Sequence, residues 1–184
     1  MVAVLAGRRV DAAETSIPRF PIENVESVKE KIKEVFIEND IQYLVCSGAC
    51  GADLIALEAA GELKITRKMV LPFDAETFRS SSVTDRPGDW GKLYDTVRKE
   101  LQLESGVIIL NYSKDENDVY EKANFDILNT ADLIFEKENK MGESKKVAII
   151  VWEGAPKDFN DTTDHFRKEA EKRNYIITEI NSLY

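Results

Sequence analysis

Tyr43–Leu44–Val45–Cys46–Ser47–Gly48–Ala49–Cys50–Gly51–Ala52–Asp53 is a short apolar run that breaks into small residues, then passes into Leu54, Ile55, Leu57, Ala59 and Ala60 at helical spacing. Such a segment reads as strand, tight turn and helix, the unit from which parallel α/β sheets are built. Two glycines sit where the chain turns, so the backbone can approach a bound group closely, and free N–H groups at a helix start attract anions. A phosphate-bearing small molecule is therefore the first ligand to consider. The order Gly48–x–x–Gly51–Ala52–Asp53 matches neither the G-x-G-x-x-G dinucleotide fingerprint nor a P-loop with its Lys and Ser/Thr. The alternative is ordinary packing of helix on strand, with no ligand.

On either side of this unit, apolar runs bounded by turn residues recur at Val2–Ala6, Met69–Leu71, Val107–Leu110, Val147–Trp152 and Tyr175–Ile180. Near-continuous Val, Ile and Leu suit strands covered on both faces. Between them, Val25, Val28, Ile32, Val35 and Phe36 share one face of a helix that Asn24 can cap; Trp90, Leu93, Val97 and Leu101 do the same after Asp89. Asp118 and Glu121 resemble a capping box. Tyr120, Asn124, Ile127, Ala131, Ile134 and Phe135 then continue at helical spacing, which predicts one long helix from Val119 to about Glu138 and no strand at Leu133–Phe135. Lys137 to Lys146, with Met141–Gly142, reads as its polar exit, and a last helix from about Thr162 to Arg173 turns Phe166 and Ala170 inward. Val10–Ile22 and Phe73–Gly88 read as long loops. With no internal repeat or linker, residues 1–184 are expected to form one domain, a Rossmann-like α/β fold with a mostly parallel sheet of about six strands and helices on both faces.

The 184-residue chain carries a formal charge of −9, which argues against a nucleic-acid backbone as partner but not against a small anion held locally. No apolar run reaches the roughly 18 residues of a membrane span. The start, Met-Val-Ala-Val-Leu-Ala-Gly-Arg-Arg, has too short an apolar core for a signal peptide and reads as a first strand. Cys46, Cys50 and the single His165 cannot make a four-ligand zinc site, so two buried thiols in a cytoplasmic protein are expected, with no metal and no resident cofactor. A homodimer stays open as an assembly.

Sheets of this kind bind ligands outside the carboxyl ends of their strands, where Gly7–Arg8–Arg9, the Gly48–Asp53 turn, Pro72–Ser82 and Trp152–Thr162 should gather. Arg8 or Arg9 would hold a phosphate there, the alternative being a surface pair with Glu14 or Asp11. Asp53 lies in the first turn of its helix, where an acid suits the positive end of the dipole; recognition of a ribose hydroxyl is the other reading. Arg79 and Ser82 either fold over the strand ends or stay in solvent. Asn124 interrupts an apolar stripe and must tie down backbone or face a ligand. Trp152 can stack on a base or simply pack in the core. His165 and Glu58 read first as surface residues.

Taken together, Leu5–Ala6–Gly7–Arg8–Arg9, Ser47–Gly48–Ala49–Cys50–Gly51–Ala52–Asp53 with Ala56 and Ala59–Ala60, and Val70–Leu71–Pro72–Phe73 resemble the SLOG superfamily, the Rossmann-like group that includes the DprA and LOG ("Lonely guy") proteins. Phe78–Arg79 with Ser82–Val83, Gly88–Asp89–Trp90, Tyr120–x–x–x–Asn124, Val151–Trp152–Glu153–Gly154 and Asp161–Thr162–Thr163–Asp164 extend the likeness over nearly the whole chain. The resemblance implies binding of a nucleotide or nucleotide-derived molecule around Gly7, Arg8, Arg9, Gly48, Ala49, Gly51, Ala52, Asp53, Pro72, Arg79, Ser82, Asn124, Trp152, Gly154 and Thr162, either for sensing or for LOG-type N-glycosidic hydrolysis. Where LOG enzymes carry P-G-G-x-G-T-x-x-E, this chain has Asn160–Asp161–Thr162–Thr163–Asp164–His165, with His165 at the Glu position. Hydrolysis would then have to draw its acid from Asp164 or Glu58. A sensor is the leading expectation, and an interaction module with a vestigial pocket is the third.

Overall fold

The computed structural model describes residues 1–139, 145–158 and 160–183. Six strands, β1 (Val2–Gly7), β2 (Tyr43–Cys46), β3 (Thr66–Leu71), β4 (Val107–Ile109), β5 (Lys146–Trp152) and β6 (Ile176–Asn181), form one sheet in the order β4-β3-β2-β1-β5-β6. Every pairing is parallel. Helices α1 (Val25–Glu38), α2 (Ala52–Glu62), α3 (Ala75–Ser82), α4 (Trp90–Leu103), α5 (Val119–Glu138) and α6 (Thr162–Lys172) cover it, making the expected Rossmann-like α/β arrangement.

Side-chain alternation assigns the two faces. Ala3, Leu5, Leu44, Cys46, Met69, Leu71, Val147, Ile149 and Val151 pack under α1, α2 and α4; Val2, Val4, Val45, Val70, Ala148, Ile150 and Trp152 pack under α5 and α6. β1 and β5 are central and almost wholly buried, whereas edge strands β4 and β6 are half exposed. The chain runs outward from β1 to β4, then α5 carries it back to lay β5 on the other side of β1. That reversal leaves a crevice at the carboxyl ends of β1 and β5, the place where open α/β sheets bind ligands.

The long helix α5 spans Val119–Glu138, with no strand at Leu133–Phe135, as its spacing predicted. Positions 140–144 of its expected polar exit lie outside the described residues. Phe73–Gly88 is not a plain loop: it contains α3, whose N-cap Asp74 accepts the Thr77 N–H at 2.9 Å and whose Ala75, Phe78 and Ser82 are buried one and two turns apart. Asn24, Asp89 and Asp118 precede their helices but make no side-chain caps. Asn24 sits in a short 3₁₀ turn and donates instead to the Ser182 carbonyl at 3.0 Å, and Asp118 meets the Lys122 ammonium at 3.2 Å. Both cysteines are free and buried.

Candidate functional site

A cleft of about 490 Å³ opens at the crevice, a size suited to a small-molecule ligand. Its floor comes from Leu5–Gly7 of β1, its walls from the segments that follow β1, β2, β3 and β5, and its far side from Tyr120, Ala123, Asn124 and Ile127 of α5. Nine of the fifteen expected ligand residues line it: Gly7, Arg8, Arg9, Ala49, Asp53, Pro72, Ser82, Asn124 and Thr162. Gly48, Gly51, Ala52, Arg79, Trp152 and Gly154 do not, nor do Asp164 and Glu58.

Gly51 and Ala52, outside the cleft, have packing roles. Gly51 has φ +95°, and a Cβ on it would stand 2.7 Å from the Arg8 carbonyl and 2.8 Å from the Val10 nitrogen. A Cβ on Gly7 would meet the Cβ of Ala52 at 2.5 Å, so these residues let the start of α2 press against the β1–β5 junction. The amides there are already engaged: Ala52 donates to the Arg8 carbonyl, Cys50 to the Ser82 carbonyl, and Ala49 to Asp53 Oδ2 at 3.2 Å.

Arg8 is not a free phosphate ligand but a buried tie, 2% exposed. Its guanidinium donates to both carboxylate oxygens of Glu153 at 2.6 and 3.1 Å, to Asp161 at 2.7 Å and to the Ala155 carbonyl at 2.9 Å. Arg19 adds a second pair to Glu153. Asp161 in turn caps α6, accepting the amides of Thr163 at 2.9 Å and Asp164 at 3.4 Å, and it also accepts the Lys157 amide at 2.7 Å. A carboxylate of the protein thus occupies the α6 start, taking the place that an external anion could fill. Burial by itself would raise the Asp161 carboxyl; the Lys157 amide and Arg8 outweigh it and hold the group below the usual range. Glu153 is likewise held down against burial, first by Arg8.

Other expected residues are committed elsewhere. Arg79 forks onto Asp95 of α4 through two bonds of 2.9 Å, facing away from the cleft because α3 turns it there. The Trp152 indole donates to Glu179 at 3.1 Å, and its ring lies 5.8 Å from the guanidinium carbons of both Arg8 and Arg167. Asp164 pairs with Arg167 and Lys168, which hold its carboxyl low against burial, and Glu58 pairs with Lys29. Asn124 donates to the Thr162 carbonyl at 3.3 Å, joining α5 to α6 across the cleft. His165 lies half-exposed beside Glu121.

Five basic side chains (Arg8, Arg9, Arg19, Arg86 and Lys157) line the cleft against two acids, Asp11 and Asp53. Arg9 is shared between Asp85, at 2.9 Å, and the Ser81 carbonyl. Arg86 makes no hydrogen bond to the described residues; its nearest carboxylate, Asp85, is 3.8 Å away. Lys157 also lacks a hydrogen bond or ion pair from its ammonium among the described residues. Although that residue is exposed overall, crowding around the ammonium and then the Arg8 charge hold it below its usual range. Arg19, Arg86 and Lys157 were not singled out in the sequence, although each lies on a segment that follows a cleft-forming strand. Tyr120 adds an aromatic face, its hydroxyl 3.3 Å from Ser82 and its ring edge-on to Phe73. No protein-family model matches this chain, and no curated protein matches it.

Proposed function

We propose that the protein binds a nucleotide or nucleotide-derived small molecule in the cleft at the strand ends, as a sensor or regulatory domain of the SLOG kind. The carrying observation is the charge contrast: a chain of net charge −9 lines this one crevice with five basic and two acidic side chains. Arg86 and Lys157 make no hydrogen bond to the described residues, whereas Arg9 and Arg19 are each anchored through Nη1, so the anionic part of the ligand is assigned to the first two rather than to Arg8 or the helix starts. The Tyr120 ring offers a surface for a base. Hydrolysis is the weaker reading, because neither Asp164 nor Glu58 reaches the cleft and general acid–base help from them, typically ~10²–10⁴-fold, is absent.

The test is a thermal-shift panel of nucleoside mono- and diphosphates with chromatography for released base. A ligand at 100 times its Kd adds about 2.7 kcal/mol, or roughly 5–11 °C for a chain of this size. At least one nucleotide should give such a shift without base release, and Arg86→Ala should weaken it about 10- to 100-fold. No shift with any nucleotide at millimolar concentration, or several turnovers per minute abolished by Asp164→Ala, refutes the reading.

A further inference from the structure

Asp53 is the buried acid of the cleft wall. It is only 9% exposed, on the first turn of α2, and lines the crevice beside Ser47 and Ala49. Oδ2 accepts the Ala49 amide at 3.2 Å. Oδ1 receives no hydrogen bond from the described residues, and the carboxylate has no ion pair: Arg9, the cation that acts on it, is committed to Asp85 and the Ser81 carbonyl. Behind it are Cys46, whose thiol is 4.0 Å from the Asp53 carbonyl, and Cys50. A carboxylate oxygen accepts and does not donate, and in a wall this closed it is poorly solvated. Such an oxygen calls for a donor from the ligand and repels a phosphate.

We infer that Asp53 reads a sugar hydroxyl of the bound nucleotide, so that the cleft discriminates ribose from deoxygenated sugars. The inference rests on the nucleotide reading above and orients the ligand within it. Burial grades across the cleft, from Asp53 at 9% to the Arg86 side chain at 27% and Tyr120 at 43% exposed. The sugar therefore lies against the small-residue wall of Ser47, Ala49 and Asp53, while the charged phosphate and the flat base take the more open Arg86 and Tyr120 sides. Ser47, which can donate or accept, is placed to complement the second hydroxyl of a diol. Burial pushes the Asp53 carboxyl up to about 7, the Ala49 amide and Arg9 offsetting only part of it. The thiols behind it do not change charge near neutrality: burial pushes the Cys50 thiol up to about 12 and Cys46 well above its ordinary value. Hydroxyl recognition should therefore strengthen from pH 6 to 8 as the carboxylate ionises.

The experiment is calorimetric titration of the intact protein with AMP, GMP, CMP and UMP and their 2′,3′-dideoxy counterparts at pH 6 and 8. Each pair shares its phosphate and base, so their titration cancels in the affinity ratio. The expected result is a ribose preference of about 10- to 100-fold for the best-bound base. That preference should be larger at pH 8, fall to within about twofold in Asp53→Ala, and lose its pH dependence in Asp53→Asn. Equal affinity of wild type for ribose and dideoxyribose forms, or an undiminished preference in Asp53→Ala, overturns the inference while leaving nucleotide binding intact. Absence of binding by all eight compounds overturns both. The wild-type ratio needs no variant, so a poorly folding Asp53→Ala does not remove the test.

Discussion

Replacing Arg8 by Met should be among the most damaging single substitutions in this protein. The side chain is 2% exposed and makes four hydrogen bonds, three of them to the carboxylates of Glu153 and Asp161. Met matches much of its bulk, so the loss falls on charge rather than on volume. Glu153 keeps Arg19 and Asp161 keeps its backbone amides, but two nearly buried carboxylates then share too little positive charge. Removing one partner of a buried ionic cluster costs about 3–5 kcal/mol, which for a chain of this length lowers Tm by roughly 6–20 °C. The loss should also depend on pH. In the wild type both carboxyls are held below their ordinary values, so their contribution is present above pH ~5 and disappears as pH falls through the native values. Urea unfolding at pH 7 and at pH 3.5 should therefore show a wide gap between wild type and Arg8→Met that narrows in acid. Arg8→Lys should lie between them, since an ammonium cannot reach Glu153, Asp161 and the Ala155 carbonyl together. A loss under about 1 kcal/mol, or a gap unchanged by pH, refutes the assignment of Arg8 as the central tie.

Two further outcomes concern the wall of the cleft. Gly51→Ala should cost at least ~2 kcal/mol in urea titrations, because φ is +95° and the new Cβ strikes backbone at 2.7 Å. Gly48→Ala should stay within about 1 kcal/mol of wild type, since its Cβ meets only the flexible Met69 side chain at 3.1–3.3 Å; equal losses would contradict the account of α2 packing. Asp53→Asn should raise unliganded stability at pH 8 and leave it unchanged at pH 4. The native carboxyl titrates near 7 against an ordinary 3.8, so wild-type stability falls as pH rises between those values; parallel pH–stability curves would contradict this.

Most of the sheet was legible in the sequence because its strands are buried on both faces and read as unbroken apolar runs. Helix α5 was legible for the same kind of reason, a twenty-residue span with one consistent period. Helix α3 was missed because its Arg79–Ser80–Ser81–Ser82 end looks like loop, although Asp74 and the Ala75, Phe78, Ser82 spacing carry a helix signal. That miss also misdirected Arg79, which the helix turns toward Asp95. Trp152 could have been assigned by parity: it alternates with Val151 and so belongs beneath α6 with Ala148 and Ile150. The strand-end rule found the cleft, but not which cations were already neutralised. Arg8 meets its partners 145 and 153 positions away, a pairing that no local pattern encodes.

The Arg8 cluster also bears on the order in which the chain can reach its final state. During synthesis Asp161 follows Arg8 by 153 residues, roughly 8–30 s at ordinary elongation rates. During that interval β1 can pair with β2, and α1, α2 and α4 can close one side of the sheet. The other side, with Val2, Val4, Val45 and Val70, has no cover until α5 emerges, and β1 has an open edge until β5 arrives. The nascent protein therefore passes through a half-covered stage with an unpaired guanidinium and a bare apolar sheet face, the kind of surface that recruits chaperones. Completion waits on the segment that carries β5 and α6, whose arrival seals the open edge of β1 and neutralises Arg8.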